Sequence, residues 1–415
     1  MMRMRVSALL LLSSACAAPS SSGPSADALI DCESFSPPAE DPLLNTGSWR
    51  NEDEASSGIV ELGTARFLDE DRAIAGGVGG LFIFEMATPE PELIGRWGTS
   101  TTAFVRHMGL AGPDLVAVTD WGYTFTLVDV SDPEAPISLT SKSVGGASGV
   151  GWNAPYLYVL STSGWIETWN LEEPEEPIRV GMMPGLSRPW EMAVAGDVAY
   201  VADVDLGLVV LDVSEPTQPH LVLELERSGA ALDVAVDGDL LALALGAEGV
   251  ELYDLSDPLE PQLLSTHDQG RSAITLSLDA GRLWVATNED VRVLDVSNPN
   301  HVQPVAVRPT PVWARDVAAR GDVALVADWS EAQRFELTGS VAPGASLDAG
   351  ALYLSPGHES QVATLTNRGG SCLCLQNIVA DDADLIVTPS EALVAPAQSI
   401  EIEVTLCENA ETWTG

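Results

Sequence analysis

An apolar, strand-like run closed by Asp-Val-Ser and a proline returns along this chain about every 42 residues, and that period limits the fold more than any other feature. The clearest copy is Leu208-Val209-Val210-Leu211-Asp212-Val213-Ser214-Glu215-Pro216. Close copies are Leu127-Val128-Asp129-Val130-Ser131-Asp132-Pro133, Leu252-Tyr253-Asp254-Leu255-Ser256-Asp257-Pro258 and Val293-Leu294-Asp295-Val296-Ser297-Asn298-Pro299. Weaker copies put Glu85, Asn170 and Glu336 where the aspartate stands, so the anchors fall at 85, 129, 170, 212, 254, 295 and 336, seven units in all. Inside a unit such as Asp233–Pro261, residues alternate in twos between sharp turns at Gly238-Asp239 and Gly249, the pattern of consecutive antiparallel strands. The Ser-Asp-Pro-x-x-Pro stretch then turns the chain into a fourth strand, because proline fixes φ and cannot donate to a ladder. Four strands per unit of this length describe a propeller blade, and seven units predict an all-β, seven-bladed β-propeller over 58–339. The seventh unit lacks an outer strand, and Gly58-Ile59-Val60-Glu61-Leu62-Gly63 is expected to supply it and remove the open edge.

These copies resemble the LVIVD-repeat family, from Gly58 to about Leu337. The resemblance implies a β-propeller of exported proteins with no common catalytic activity. From Val341 the period is gone and short strands take over: 351–354, 361–367, 372–380, 385–388 and 399–406. Thr366-Asn367-Arg368-Gly369, Leu393–Ser399 and the alternating Ile400–Val404 resemble Ig-like modules of the ASPM-SPD-2-Hydin type, which implies a small Ig-like β-sandwich over 340–415. Five strands fall short of the roughly seven of a full sandwich, so a binding module of a longer multidomain protein stays open.

The N-terminus carries Arg3 and Arg5, the apolar run Val6–Leu12, then Ser13, Ser14, Ala15 and Cys16. That is the layout of a signal peptide over 1–16, too short in its apolar part to span a bilayer as a mature helix. Leu12–Cys16 resembles a bacterial lipoprotein cleavage box, with Ser13 departing from the usual branched aliphatic, and implies lipidation at Cys16; cleavage after Ala17 or Ala18 is the alternative. Both place the chain outside the cytoplasm, as an outer-membrane or cell-surface lipoprotein or else secreted. Residues 17–57, rich in Ser, Pro and Ala at their start, read as a flexible tether. Cys32, Cys372, Cys374 and Cys407 then form an even set in an oxidising compartment, with disulfides permitted and connectivity open.

With 61 acidic against 19 basic residues and a net charge of −42, nucleic acid and anionic lipid headgroups are poor partners, and the membrane is reached only through the lipid anchor. Chemistry is expected on the face where the innermost strands begin. Glu191, Asp233 and Asp316 share one repeat position there, with Thr275 between, and could hold Ca²⁺ or bond backbone amides at the blade seams. Trp190 and Trp313 are expected in blade connections, and Trp121 and Trp329 in second-to-third-strand turns behind Asp120 and Asp328. Such aromatics stack glycans or anchor protein contacts, or else simply pack between blades. The five histidines read as solvated or core side chains, and no Gly-x-Ser-x-Gly, Walker or dinucleotide fingerprint is present. The expected function is that of a monomeric binding or scaffold protein for a protein or glycan, not an enzyme and without a required cofactor. A propeller hydrolase or lactonase using a metal on the funnel carboxylates is the alternative.

Overall fold

The structure is a computed structural model. It describes residues 43–49, 61–98, 104–120, 123–268, 270–337, 345–348, 360–367, 373–375, 385–388, 392–394 and 399–406. Residues 43–337 form one compact unit of seven four-stranded antiparallel sheets. The innermost strands are Leu62–Phe67, His107–Gly112, Ala147–Asn153, Pro189–Ala195, Asp233–Asp237, Ala273–Asp279 and Ala314–Arg320, opening blades 1 to 7 in order. The expected all-β propeller is therefore present, with seven blades.

The repeat anchor has a structural job. In blade 4 the Asp212 carboxylate, at the end of the third strand, accepts the Ser214 N–H at 2.9 Å. Asp129, Asp254 and Asp295 do the same for Ser131, Ser256 and Ser297 at 2.8–3.0 Å, and the Asn170 side-chain oxygen does it for Glu172 at 2.8 Å. Each side chain satisfies a turn amide two residues on and directs the chain into the outer strand. Apolar residues of the first three strands then pack between neighbouring blades: Tyr200, Leu208 and Val210 of blade 4 meet Leu241, Leu243 and Tyr253 of blade 5, all at 0% exposure.

The ring is closed by a strand that sequence reasoning placed elsewhere. Leu43–Trp49 pairs antiparallel with Glu331–Leu337 as the outer strand of blade 7, whereas Leu62–Phe67 is the innermost strand of blade 1. The Gly58–Gly63 expectation is thus wrong, and the predicted tether contains a blade strand. Its register shows the assignment to be native to the repeat. Every other outer strand carries a bulge opposite the last residues of the third strand, as at Ile83/Phe84 and Val210/Leu211, and Leu43–Trp49 has its own between Asn45 and Gly47. Few residues in Leu-Leu-Asn-Thr-Gly-Ser-Trp favour strands, so pairing and packing carry it. Leu43 is fully buried, and Trp49 lies 4.9 Å from Phe82 and 5.2 Å from Phe84 between ring centroids. The closing seam is packed like the others, with Phe82 and Phe84 of blade 1 against Leu325 and Ala332 of blade 7.

The second unit includes residues 338–415. Its described strands form a sheet in the order 345–348, 360–367, 399–406, 385–388, and a separate pair, 373–375 with 392–394. The expected strand at 351–354 lies outside the described residues, as do Cys16, Cys32, Cys372 and Cys407. Cys374 sits in the strand Leu373–Leu375.

Candidate functional site

In each blade the start of the innermost strand, the end of the second and the start of the third lie at one edge, so the residues there surround the mouth of the central channel. The strand registers align one position per blade: Thr64, His107, Gly149, Glu191, Asp233, Thr275 and Asp316. The three expected carboxylates are members of this collar. Two of them act as seam staples. Asp233 accepts the Leu276 N–H of the next blade at 2.7 Å and its neighbour Val234 N–H at 2.8 Å. Asp316 likewise accepts Ala65 N–H at 2.9 Å and Val317 N–H at 2.9 Å. Hydrogen bonds of this kind tie blade to blade where the structure is buried and water cannot compete.

The third carboxylate has a different partner. Glu191, 8% exposed, is hydrogen-bonded to Nδ1 of His107, itself 6% exposed. The pair spans blades 2 and 4, and Gly149 of the intervening blade makes that possible. A Cβ on Gly149 would stand 2.7 Å from Glu191 Oε2 and 2.8 Å from Glu191 Cα. Sequence reasoning missed His107 because the 42-residue step back from Glu191 lands on this glycine; a second step would have found it. His107 is therefore a buried, paired member of the collar rather than a lone histidine.

Two residues further along the strands, blade 1 carries Arg66. The other blades carry Gly109, Gly151, Ala193, Ala235, Ser277 and Ala318 at that level, small residues that leave room for one guanidinium. Arg66 Nη1 lies 2.7 Å from Asp316 Oδ2. Burial works against its charge, but the fields of Asp316, Glu191 and Asp233 prevail and hold it more firmly protonated than usual. Burial also pushes Glu191 up, yet the His107 charge and hydrogen bond, Arg66 and the Met192 amide together hold it below the ordinary carboxylate range. Asp233 goes the other way, raised well above that range by burial and by Glu191 and Asp316, against the pull of Arg66. Among the described residues no group of three or more His, Cys, Asp or Glu is placed to hold a metal ion.

At the mouth itself, Trp313 lies in the connection into blade 7 and is 48% exposed, with its backbone N–H 2.8 Å from Asp328 Oδ1. Trp329, in the turn after Asp328, meets it edge-on at 5.5 Å. Trp190 lies in the bulge of its innermost strand, not in a connection as expected, and meets His107 edge-on at 5.4 Å. Trp121 lies outside the described residues. Ring contacts thus join Trp313 to Trp329 and place Trp190 in a separate group with His107. Sequence reasoning used Asp328 only to place Trp329 and gave no role to it or to Asp203, both at 0% exposure. Asp203 accepts the N–H groups of Ser187, Arg188, Asp205 and Leu206 at 2.8–3.2 Å, fixing the connection ahead of Trp190.

The LVIVD repeat model matches residues 116–141 and 189–226. The chain carries LVIVD repeats. Among solved structures it is similar to the one titled "Structure of U3-55K", at 11% identity and a TM-score of 0.57, covering 72% of this chain and 98% of that one. "Crystal structure of RRP9 WD40 repeats" gives 11% identity and a TM-score of 0.56, covering 72% and 97%. At that identity the likeness concerns the fold. A search of curated proteins returns no match.

Proposed function

We propose that this chain is an exported binding or scaffold protein, lipid-anchored through Cys16, that engages a partner with the channel-mouth face of its propeller. Under this reading the C-terminal unit is an Ig-like module and no catalytic step takes place on the propeller. The observation that carries it is Trp313. A tryptophan 48% exposed is costly to leave in water, and this one is held in place by Asp328 and by Trp329, the arrangement of a preorganised anchor. Large aromatics of this kind suit a protein partner or a glycan. The collar below is already engaged in seams, the His107 pair and Arg66, which supports a binding role over an acid–base one. The test is capture of partners by the mature chain, from surface extracts and on a glycan array, run beside Trp313→Ala. Capture lost in the variant supports the reading; identical capture by both proteins contradicts it.

A further inference from the structure

In the turn between second and third strands, blades 1 and 3 place a left-handed glycine six positions before the repeat anchor: Gly79 at φ 94° and Gly164 at φ 91°. Glycine takes that conformation without steric cost. Blade 2 puts Tyr123 there, at φ 67°. The backbone role is the same, for the Tyr123 carbonyl accepts the Val144 N–H at 2.8 Å as the Gly164 carbonyl accepts the Gly185 N–H at 3.1 Å. A bulky side chain in this region costs stability, and at 63% exposure the Tyr123 ring gains little packing in return. Two glycines of the connection into blade 3 make room beside it. A Cβ on Gly146 would stand 3.5 Å from Tyr123 Cδ1 and would overlap Thr162 Oγ1, so a phenol ring and a hydroxyl converge on one bare Cα. This floor is pinned: the Gly146 N–H donates to the Val144 carbonyl at 2.6 Å, the Gly146 carbonyl accepts the Thr162 N–H at 2.8 Å, and the Gly145 carbonyl accepts the Ser161 and Ser163 hydroxyls. Thr162 and Ser163 are themselves exposed.

From this geometry we infer that Tyr123 is a stacking platform for a pyranose of a neutral glycan, with the Thr162 hydroxyl as a hydrogen-bonding group at its rim. The inference rests on the proposed binding role of this face and names the chemistry of its ligand. Three features support it. A pyranose presents a C–H face, which suits the negative face of an aromatic ring, and hydroxyls around its edge; an exposed ring beside a hydroxyl and a bare backbone offers both kinds of contact. Strain borne by an exposed side chain places its benefit outside folding, at a contact made with something else. Finally, the groups beside the ring, Thr162, Ser163 and two glycines, carry no positive charge to hold a sugar acid, and the net charge of −42 opposes acidic glycans at longer range. The pinned backbone fixes ring and hydroxyl before the ligand arrives, which lowers the ordering cost of binding.

The experiment titrates the full mature chain with cellohexaose, maltohexaose and mannohexaose, and with oligogalacturonate as the acidic comparison, following binding heat. The expected result is saturable binding of at least one neutral hexasaccharide, weakened about tenfold or more in Tyr123→Asn, retained in Tyr123→Phe, and weaker in Thr162→Val. Asparagine tolerates the left-handed region better than tyrosine, so Tyr123→Asn should melt at or above the parent's temperature. Binding of none of the neutral probes, a preference for oligogalacturonate, or a neutral probe held equally by parent and Tyr123→Asn overturns the inference. So does a Tyr123→Asn protein that melts well below the parent, which would give the ring a packing role, and unchanged affinity in Thr162→Val overturns the part assigned to that hydroxyl. Capture of a protein that needs Tyr123 and survives periodate oxidation of its glycans would make the ring a protein contact and likewise overturn the inference. Partner capture that needs Trp313 but is unchanged in Tyr123→Asn, with every neutral probe blank, refutes the platform while leaving the broader binding role standing.

Discussion

Replacing Gly149 with alanine should destabilise the propeller, against the usual sign for such a change. Gly149 lies in the strand Ala147–Asn153 outside the left-handed region, where Gly→Ala ordinarily adds about 0.4–1 kcal/mol by restricting the unfolded chain. Here the new Cβ would stand 2.7 Å from Glu191 Oε2, 2.8 Å from Glu191 Cα and 2.9 Å from the Trp190 carbonyl. Two of these are backbone atoms that cannot swing aside. Overpacking of this kind costs about 1–3 kcal/mol, and displacing Glu191 from His107 would leave buried polar atoms without their hydrogen-bond partner, at a further cost of about 1–3 kcal/mol. A net loss of about 2–4 kcal/mol is expected, read as a fall of roughly 3–6 °C in melting temperature for a unit of this size. Gly63→Ala is the control: it sits on the same edge with open space beyond it, and should be neutral or slightly stabilising. A Gly149→Ala protein as stable as the parent would refute the claim that this glycine makes room for the His107–Glu191 bridge.

Other outcomes follow from the same structure. Deleting residues 43–49 should open the edge of Glu331–Leu337 and expose Phe82 and Phe84, giving aggregation and a broad, earlier melting transition; an unchanged melt would refute closure by this strand. Asp203→Ala leaves four backbone donors without their acceptor and should cost about 2–4 kcal/mol in urea unfolding, since each orphaned group costs about 1–3 kcal/mol and some will find water. Glu191 and Asp233 should give pH dependences of opposite sign. Glu191, held low, contributes stability above its unfolded value of about 4.3 that is lost as pH falls through its folded value, whereas Asp233, held high, contributes stability below about 3.9 that is lost as pH rises through its folded value. Unfolding of Glu191→Gln from pH 3 to 8 should therefore show a flatter acid limb than the parent; an identical acid limb would contradict the assignment.

The blades were legible because the period is carried by residues with local work to do. Asp212 and its counterparts close a turn within their own unit, so the pattern survives in sequence. The closing strand was not legible, since Leu43–Trp49 holds its place through Glu331–Leu337, almost 300 residues away, and through Phe82 and Phe84. Of the collar, Glu191, Asp233 and Asp316 could be read from equal spacing. His107 could not be read from a single step, because its bridge depends on an absent side chain at Gly149. Arg66 was hidden for a related reason: one blade supplies the charge and six supply small residues, and spacing alone does not distinguish such residues from ordinary strand positions.

The most direct test of the binding account measures melting temperature and partner affinity on the same Trp313→Ala and Trp329→Ala proteins. Trp313 is half in solvent and its place is set by its own backbone bond to Asp328, so its loss should leave the melting temperature within a few degrees of the parent. Affinity for the captured partner should fall by about 2 kcal/mol or more, the size of a hot-spot truncation. The opposite pattern, a marked drop in melting temperature with affinity intact in both variants, would show that these tryptophans serve packing alone and would contradict the account.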